Sequence, residues 1–222
     1  MLPMAGEDWI LYRITIWIIL LLSLTVHEWA HAWSAWKLGD GTAKYMGRLT
    51  LNPLAHIDPI GTVLLPLLGV PFGWAKPVPV NPLMFRGVGP RKGMMITAAA
   101  GPLANLCMAA VCTALFALVV AAPLNLGETR ESIVGLIRRA VFLNVILATF
   151  NMLPVPPLDG SRIADWLMPR ELRGAWENFQ RLGPLALMAV IFLSMTGRFN
   201  VIMLPVGLAA RVLRAIESAL GG

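Results

Sequence analysis

The sequence His27-Glu28-Trp29-Ala30-His31 directly follows an apolar stretch that begins at Ile14. Positions i and i+4 of a helix lie on one face, one turn apart, so two imidazoles at this spacing can bind one ion. Each ionisable group at the centre of a bilayer costs about 2.5–3.5 kcal/mol on insertion scales, so three within five residues need a reason. We therefore predict a membrane-spanning helix at 9–38 that binds a metal ion. The alternative is a buried polar network that joins helices.

The composition of the whole chain favours lipid as its solvent. Of its 222 residues, 57% are hydrophobic and 14% are charged, whereas a soluble domain carries about 25% charged residues. The mean hydropathy is +0.70. The lysines and arginines that give the chain its net charge of +6 lie between apolar runs and not on one polar face. They therefore indicate membrane topology and no binding to nucleic acid.

The apolar segments predict an all-α polytopic membrane protein, a bundle of four to six transmembrane helices with a re-entrant segment and a short membrane-associated β-hairpin. The run at 60–72 has about thirteen residues, short of the roughly 20 needed to span a bilayer, and is expected to be re-entrant. Alternate prolines in 77–82 forbid a helix and leave an extended edge strand or hairpin. Within one domain, 1–222, we expect a helix at 9–38, the re-entrant segment and hairpin at 57–92, helices at 94–122 and 132–160, and C-terminal helices at 183–213 that cross once or twice.

Two histidines leave a catalytic zinc ion one ligand short, because such sites use three protein ligands and a water. The candidates for the third ligand are His56, Asp40, Asp58, Asp159 and Asp165. Asp159 is favoured because it follows an apolar segment in a proline-broken turn, and broken backbone at membrane depth is tolerated where it lines a cavity. From local sequence alone, an N-cap for a helix that begins near Ser161 is an equally good interpretation.

The remaining polar residues suggest catalytic and structural roles. Glu28 stands beside the predicted metal and is placed to act as general base on the water that zinc activates. Asn151 is the first choice for holding the developing oxyanion, with Asn105 and Asn144 as weaker candidates; helix–helix hydrogen bonding is the alternative for each. His56 and Asp58 are expected to shape the cytoplasmic mouth or to satisfy local backbone, and a direct zinc role for His56 is open.

These motifs together resemble the site-2 protease family of intramembrane metalloproteases, over nearly everything from the first helix to about residue 162. The resemblance is carried by HEWAH at 27–31, by the stretches at 52–61 and 73–82, by AGPLAN at 100–105 and by FNMLPVPPLDG at 150–160. It implies one zinc ion bound by His27, His31 and Asp159, with Glu28 as base. Many members carry an added PDZ or CBS domain, for which this sequence has no room, so it resembles a minimal form.

Members of this family cleave transmembrane segments of other proteins, usually after a first cut outside the membrane. The resemblance thus implies a zinc-dependent intramembrane endopeptidase acting on single-pass proteins in regulated intramembrane proteolysis, and the 74–81 strand would give an unwound substrate an edge to pair with. All lysines and arginines from 37 to 92, with the arginines at 162, 170 and 173, are expected on one side of the membrane. Positive loops are cytoplasmic, so we expect a prokaryotic inner-membrane protein with its site towards the cytoplasm.

Two rival functions belong to other classes. A metal transporter also lines its path with histidines and acidic residues, but it needs ligands at several depths, whereas this sequence gathers three at one. A silent relative that binds partners without cutting them has no use for a base, so Glu28 argues against it.

Overall fold

The computed structural model describes residues 6–68, 73–122, 127–196 and 203–220, and all regular secondary structure in these ranges is helical. The helices, in chain order, are α1 (Gly6–Lys37), α2 (Thr42–Tyr45), α3 (Leu65–Leu67), α4 (Pro90–Ala121), α5 (Glu128–Asn151), α6 (Asp159–Leu167), α7 (Arg173–Arg181), α8 (Gly183–Met195) and α9 (Met203–Leu220). Short 3-10 turns occupy Pro53–His56, Pro82–Met84 and Arg170–Leu172, and a π-helical turn occupies Pro59–Leu64.

Three of the described helices are long and apolar enough to cross a membrane. They are Ile10–Lys37 within α1, then α4 and α5. This is fewer than the four to six predicted, because the C-terminal apolar region divides into α8, of 13 residues, and α9, whose 18 residues include Arg211, Arg214 and Glu217. An all-α membrane protein is therefore confirmed for the described residues, and the number of crossings made by 183–213 stays a prediction.

The third spanning helix is shorter than the predicted 132–160. It begins at Glu128, where acidic residues in the first turn suit the positive end of the helix dipole, and it ends at Asn151. The prolines at 154, 156 and 157 have no N–H to continue the helical ladder. A compact turn replaces it, with Val155 N–H donating to the Leu153 carbonyl at 2.8 Å and Leu158 N–H donating to the Val155 carbonyl at 2.9 Å.

The β-hairpin predicted within 57–92 is wrong for the described residues, which contain no strand. The segment 73–81, called here the proline loop, is irregular and is fixed by scattered contacts: Lys76 N–H donates to the His56 carbonyl at 2.9 Å, and the Thr62 hydroxyl donates to the Trp74 carbonyl at 2.8 Å. Its alternate prolines cannot donate to a ladder. The run at 60–68 forms short helical turns, residues 69–72 lie outside the described part, and the re-entrant path is not supported.

Helix α4 is the centre of the bundle and packs against α1, α5, α6 and α9. The C-terminal half of α4 packs with α5 and α9 around an apolar core, whose members are Ala109, Phe116, Val120, Val141, Val145 and Leu213. The other half carries small residues, including Ala98 and Gly101, both buried, which allow a neighbouring helix to approach closely. Because α1 and α6 both contact α4, the two histidines of α1 and the first residue of α6 come together beside it.

Candidate metal centre

Three side chains from two distant parts of the chain converge beside α4. The Nε2 atoms of His27 and His31 lie 3.0 Å apart. The Oδ2 atom of Asp159 lies 3.1 Å from the first and 3.3 Å from the second. Among the described residues these form the group of histidine and acidic side chains that could hold a metal ion, and both histidines are buried. We call this group the metal centre.

The hydrogen bonds of the two imidazoles fix which ring nitrogen carries the proton. His27 Nδ1 lies 2.6 Å from the side-chain oxygen of Asn105, and His31 Nδ1 lies 2.7 Å from the backbone carbonyl of Thr97. A carbonyl oxygen only accepts, so each Nδ1 must be the donor. In the neutral rings both Nε2 atoms therefore present lone pairs to each other and to Asp159, as metal-binding histidines do.

This arrangement fits a divalent cation. The Oδ2 atom of Asp159 is buried and has no other hydrogen-bond partner in the described part of the chain. Three acceptor atoms facing one another repel, and a cation between them removes the repulsion. Ligand atoms about 2.0–2.1 Å from a tetrahedral zinc ion lie roughly 3.3–3.4 Å apart, close to the observed separations. Two imidazoles and a carboxylate also suit zinc chemically.

Gly101 on α4 has no side chain, and the two imidazole rings occupy the space that a side chain there would fill. A Cβ atom placed on Gly101 would lie 2.5 Å from His31 Nε2 and 2.7 Å from His27 Cε1. Contacts this short do not occur in real proteins, so any larger residue would displace the imidazoles. The small residue thus forms one wall of the metal centre.

Glu28 is nearly buried and faces the proline loop. Its Oε2 atom accepts a hydrogen bond of 2.8 Å from the backbone N–H of Val78. A backbone donor of this kind holds the carboxylate in one orientation. The loop is therefore in direct contact with the residue predicted to act as base.

The structure does not bring the alternative third ligands to this centre. Asp58 accepts from the backbone of Ile60 and Gly61, Asp40 accepts from Thr42 and from Asn81 N–H, and Asp165 binds Arg91 and Trp176. His56 is buried and its Nε2 donates to the Thr50 carbonyl at 2.9 Å. The N-cap interpretation of Asp159 is also wrong, because α6 begins at Asp159 itself, after Leu158, and no side chain caps it.

The three asparagines differ in their surroundings. The side-chain amide of Asn151 donates to the Leu147 carbonyl, one turn earlier in α5, at 3.0 Å. Asn105 and Asn144 are fully buried and hydrogen-bonded to each other between helices at 2.9 Å. Sequence reasoning offers no link between Asn105 and His27 and does not single out Thr97. Gly101 stands out only as part of the run of small residues at 98–101.

Comparison with known proteins identifies close relatives. The sequence profile named Peptidase family M50 matches residues 127–195. The chain is 39% identical over 183 residues to "Putative zinc metalloprotease YwhC" of Bacillus subtilis, covering 82% of this chain and 81% of that protein. It is 33% identical to "Putative zinc metalloprotease Rip2" of Mycolicibacterium smegmatis (63% of this chain, 52% of that protein) and 27% identical to Rip2 of Mycobacterium tuberculosis (78% and 62%). No solved structure gives a significant match.

The extent of these matches settles the family. YwhC exceeds 30% identity and is covered over most of its length, and the profile match includes Asp159, the residue that α6 brings to the two histidines. The resemblance inferred from the motifs is confirmed. The chain belongs to peptidase family M50, the site-2 protease family of membrane metallopeptidases.

Proposed function

We propose that this protein is a zinc-dependent intramembrane endopeptidase that hydrolyses peptide bonds in transmembrane segments of single-pass membrane proteins, in regulated intramembrane proteolysis. One observation carries the proposal: two imidazoles inside a membrane-spanning helix and a carboxylate from a distant turn face one another, and the described residues place no donor between them. A group of acceptors at one depth serves hydrolysis and not ion passage, which needs ligands along a path.

In this proposal His27, His31 and Asp159 hold one zinc ion. The ion, when bound, polarises the scissile carbonyl and lowers the pKa of the attacking water. The chain's contribution is a fixed ligand set: Asn105 and Thr97 hold the two rings by their Nδ1 atoms, so the Nε2 lone pairs stay directed at the ion. Gly101 keeps the space between the rings and α4 open.

Glu28 is the general base. It takes a proton from the attacking water and passes it to the amine that leaves when the peptide bond breaks. The hydrogen bond from Val78 N–H to its Oε2 atom supports this role, because it leaves the other carboxylate oxygen for the water. The proline loop thereby forms part of the catalytic surroundings, although it does so without the strand pairing expected from sequence.

Asn151 is proposed to stabilise the developing oxyanion. One N–H of its amide donates to the Leu147 carbonyl, and a side-chain amide carries a second N–H that can reach substrate. Asn151 is the last residue of α5 and is partly exposed, in contrast to Asn105 and Asn144, whose buried amide groups bind other protein atoms. Its position next to the turn that carries Asp159 favours it over the other two.

We further propose that residues 1–222 act as a single transmembrane protease domain in a bacterial cell membrane, with the metal centre towards the cytoplasm. Two arguments support this orientation. Lys37 and Lys44 lie close to the rings of Trp33 and Trp36 just beyond the histidines, as expected of basic and aromatic residues at the cytoplasmic interface. The relatives found by comparison are bacterial proteins.

The decisive experiment compares Glu28→Gln and Asp159→Ala with the wild-type protein in detergent or reconstituted vesicles. Zinc content and cleavage of a panel of single-pass proteins are measured on the same preparations. Glu28→Gln should keep one zinc ion per chain and lose about 10²–10⁴-fold in cleavage rate, the usual contribution of a general base. Asp159→Ala should lose both the bound zinc ion and the cleavage activity. Undiminished cleavage by Glu28→Gln would disprove the assigned chemistry, and zinc flux across vesicles without peptidase activity would favour a transporter.

A further inference from the structure

A continuous set of hydrogen bonds links one proposed metal ligand to α1, α4 and α5, the three helices in the described part of the chain that are long and apolar enough to span a membrane. His27 on α1 binds the side-chain oxygen of Asn105 on α4 at 2.6 Å. The Asn105 amide nitrogen donates to the side-chain oxygen of Asn144 on α5 at 2.9 Å and to the Ser23 carbonyl on α1 at 3.3 Å. The Asn144 amide nitrogen donates to the Ser23 hydroxyl at 3.0 Å. We call Ser23, Asn105 and Asn144 the amide relay.

Each amide in the relay can point only one way. The Asn144 amide nitrogen also faces the Ala140 carbonyl at 2.9 Å, and a carbonyl only accepts, so the Asn144 oxygen must face Asn105. The Asn105 nitrogen then has two acceptors, the Asn144 oxygen and the Ser23 carbonyl, so the Asn105 oxygen must face His27. The orientation of an amide on α5 therefore determines which atom is presented to a metal ligand on α1.

The relay is almost completely buried. Asn105 is 0% exposed, and Ser23 and Asn144 are each 1% exposed. Burying amide groups costs free energy unless every donor and acceptor is paired, and both N–H groups and the oxygen of Asn105 are paired here. Packing alone does not require polar residues here, because replacing both partners of a buried hydrogen bond by apolar groups of the same shape can be nearly neutral or stabilising. A directional role explains the polar residues.

We propose that Asn105 is a positioning residue for the metal centre, which fixes the proton of His27 on Nδ1 and directs its Nε2 at the ion, and that Asn144 and Ser23 act through it by orienting its amide. This inference rests on the proposed zinc site. The partner of a metal-ligating imidazole sets its tautomer and ring orientation, and losing such a partner typically costs about 10–100-fold in metal affinity.

The test measures zinc affinity, by competition with a chelator, in purified full-length protein. Asn105→Leu should weaken zinc binding about 10–100-fold. Asn105→Asp keeps an oxygen for His27 and should retain more affinity than the leucine variant. Asn144→Leu should show a smaller loss, and the double variant should bind zinc no more weakly than Asn105→Leu alone. Thr113→Val, which removes a hydroxyl bonded to Ala109 elsewhere on α4, is the control and should bind zinc as the wild type does.

A spectroscopic measurement separates positioning from mere structural support. With cadmium-113 in place of zinc and nitrogen-15 in the histidines, metal–nitrogen coupling reports which ring nitrogen binds. Wild type should show Nε2 for both imidazoles, and Asn105→Leu should show a mixture at His27 with His31 unchanged. Wild-type affinity in Asn105→Leu, or losses in the single variants that add in the double variant, would overturn the proposal. If Asn105→Leu does not fold, the zinc affinity and the metal–nitrogen coupling at His27 are measured in Asn105→Asp and Asn144→Leu, and wild-type values in both would overturn the proposal. Zinc binding that survives His27→Ala would instead refute the site itself.

Discussion

The structure contains two clusters of largely buried polar side chains that differ in the atoms their hydrogen-bonding groups face. The metal centre holds His27, His31 and Asp159. A second group, called here the mouth cluster, consists of Asp40, Arg48, His56 and Thr62 and lies under the proline loop. Burial does not distinguish the two, since His56 is 0% exposed and His31 is 8% exposed. Both contain an imidazole and a carboxylate, but the mouth cluster adds a guanidinium and a hydroxyl, which are donors, where the metal centre has a second imidazole.

The difference lies in what the polar atoms face. In the mouth cluster, side chains bind backbone: Arg48 donates to the Lys76 and Pro77 carbonyls, His56 donates to the Thr50 carbonyl, and Asp40 accepts from Asn81 N–H. Two of its buried nitrogens, the donor Arg48 Nε and His56 Nδ1, have no hydrogen-bond partner among the described residues. In the metal centre three acceptors face one another. A surplus of buried acceptors, and not burial itself, indicates a cation site.

The largest expected effect separates the two buried histidines. His31→Ala removes a proposed ligand and should lower zinc affinity by more than about 100-fold, beyond the usual cost of losing an outer partner. His56→Ala removes a donor to one backbone carbonyl and should leave zinc content unchanged while lowering stability by about 1–3 kcal/mol. Chelator competition and thermal unfolding measure the two quantities. Zinc loss in His56→Ala would erase the distinction between the clusters.

The next effect comes from the wall of the metal centre. Gly101→Ala places a methyl group 2.5 Å from His31 Nε2, so the rings must move, and displacements near 1 Å cost about 10²-fold in rate. The cleavage rate of Gly101→Ala should therefore fall about 10²-fold, and the variant should bind zinc more weakly. Gly135→Ala on α5 is the matched control, because a Cβ there meets nothing within 4 Å. Equal behaviour of the two variants would show that the rings tolerate the methyl group.

A smaller effect is expected when the proline loop is loosened. Arg48→Ala leaves the Lys76 and Pro77 carbonyls without their donor, which should cost about 1–3 kcal/mol of stability. Zinc affinity should not change, and cleavage should fall because Val78 in the same loop holds Glu28. Arg170→Ala, at an exposed site, is the control. A loss of zinc in Arg48→Ala would mean that the loop supports the ligands as well as the base.

The smallest effect concerns one end of the same loop. Asp40→Asn keeps one oxygen for Thr42 and replaces the oxygen that accepts from Asn81 N–H. We expect a loss near 1 kcal/mol, the net contribution of a single hydrogen bond, with zinc binding intact. Thermal unfolding detects such a change. No shift at all would show that Asn81 N–H finds water instead.

The sequence predicts the parts of the site that are local. His27 and His31 stand one helical turn apart, so their pairing follows from spacing alone. Asp159 is the favoured one of five candidates for the third ligand, but local sequence does not decide between them, because its approach to the histidines depends on how α4, α5 and α6 pack. The relay residues Asn105 and Asn144 could not be assigned to His27, since their contacts cross between helices that lie far apart in the chain.

The errors in the predicted fold also arise because local sequence does not show which distant parts of the chain come into contact. Alternate prolines in 77–82 correctly exclude a helix, yet a strand also needs a partner, and in the described part of the chain the loop binds side chains such as Glu28 and Asp40 instead. The helix predicted at 132–160 includes the proline-broken turn that carries Asp159, whereas α5 ends at Asn151. Proline chemistry ends it earlier, and the resulting turn is what frees Asp159 to face α1.

The separation of the ligands along the chain has a consequence for biosynthesis. Helices α4 and α5 lie between His31 and Asp159, so a nascent molecule carries two imidazoles and the proposed base long before it carries the carboxylate. A chain that stalls or inserts only in part lacks the complete ligand set. On the proposed function, an unfinished copy therefore stays inactive until the turn that carries Asp159 has been made and has packed beside α1 and α4.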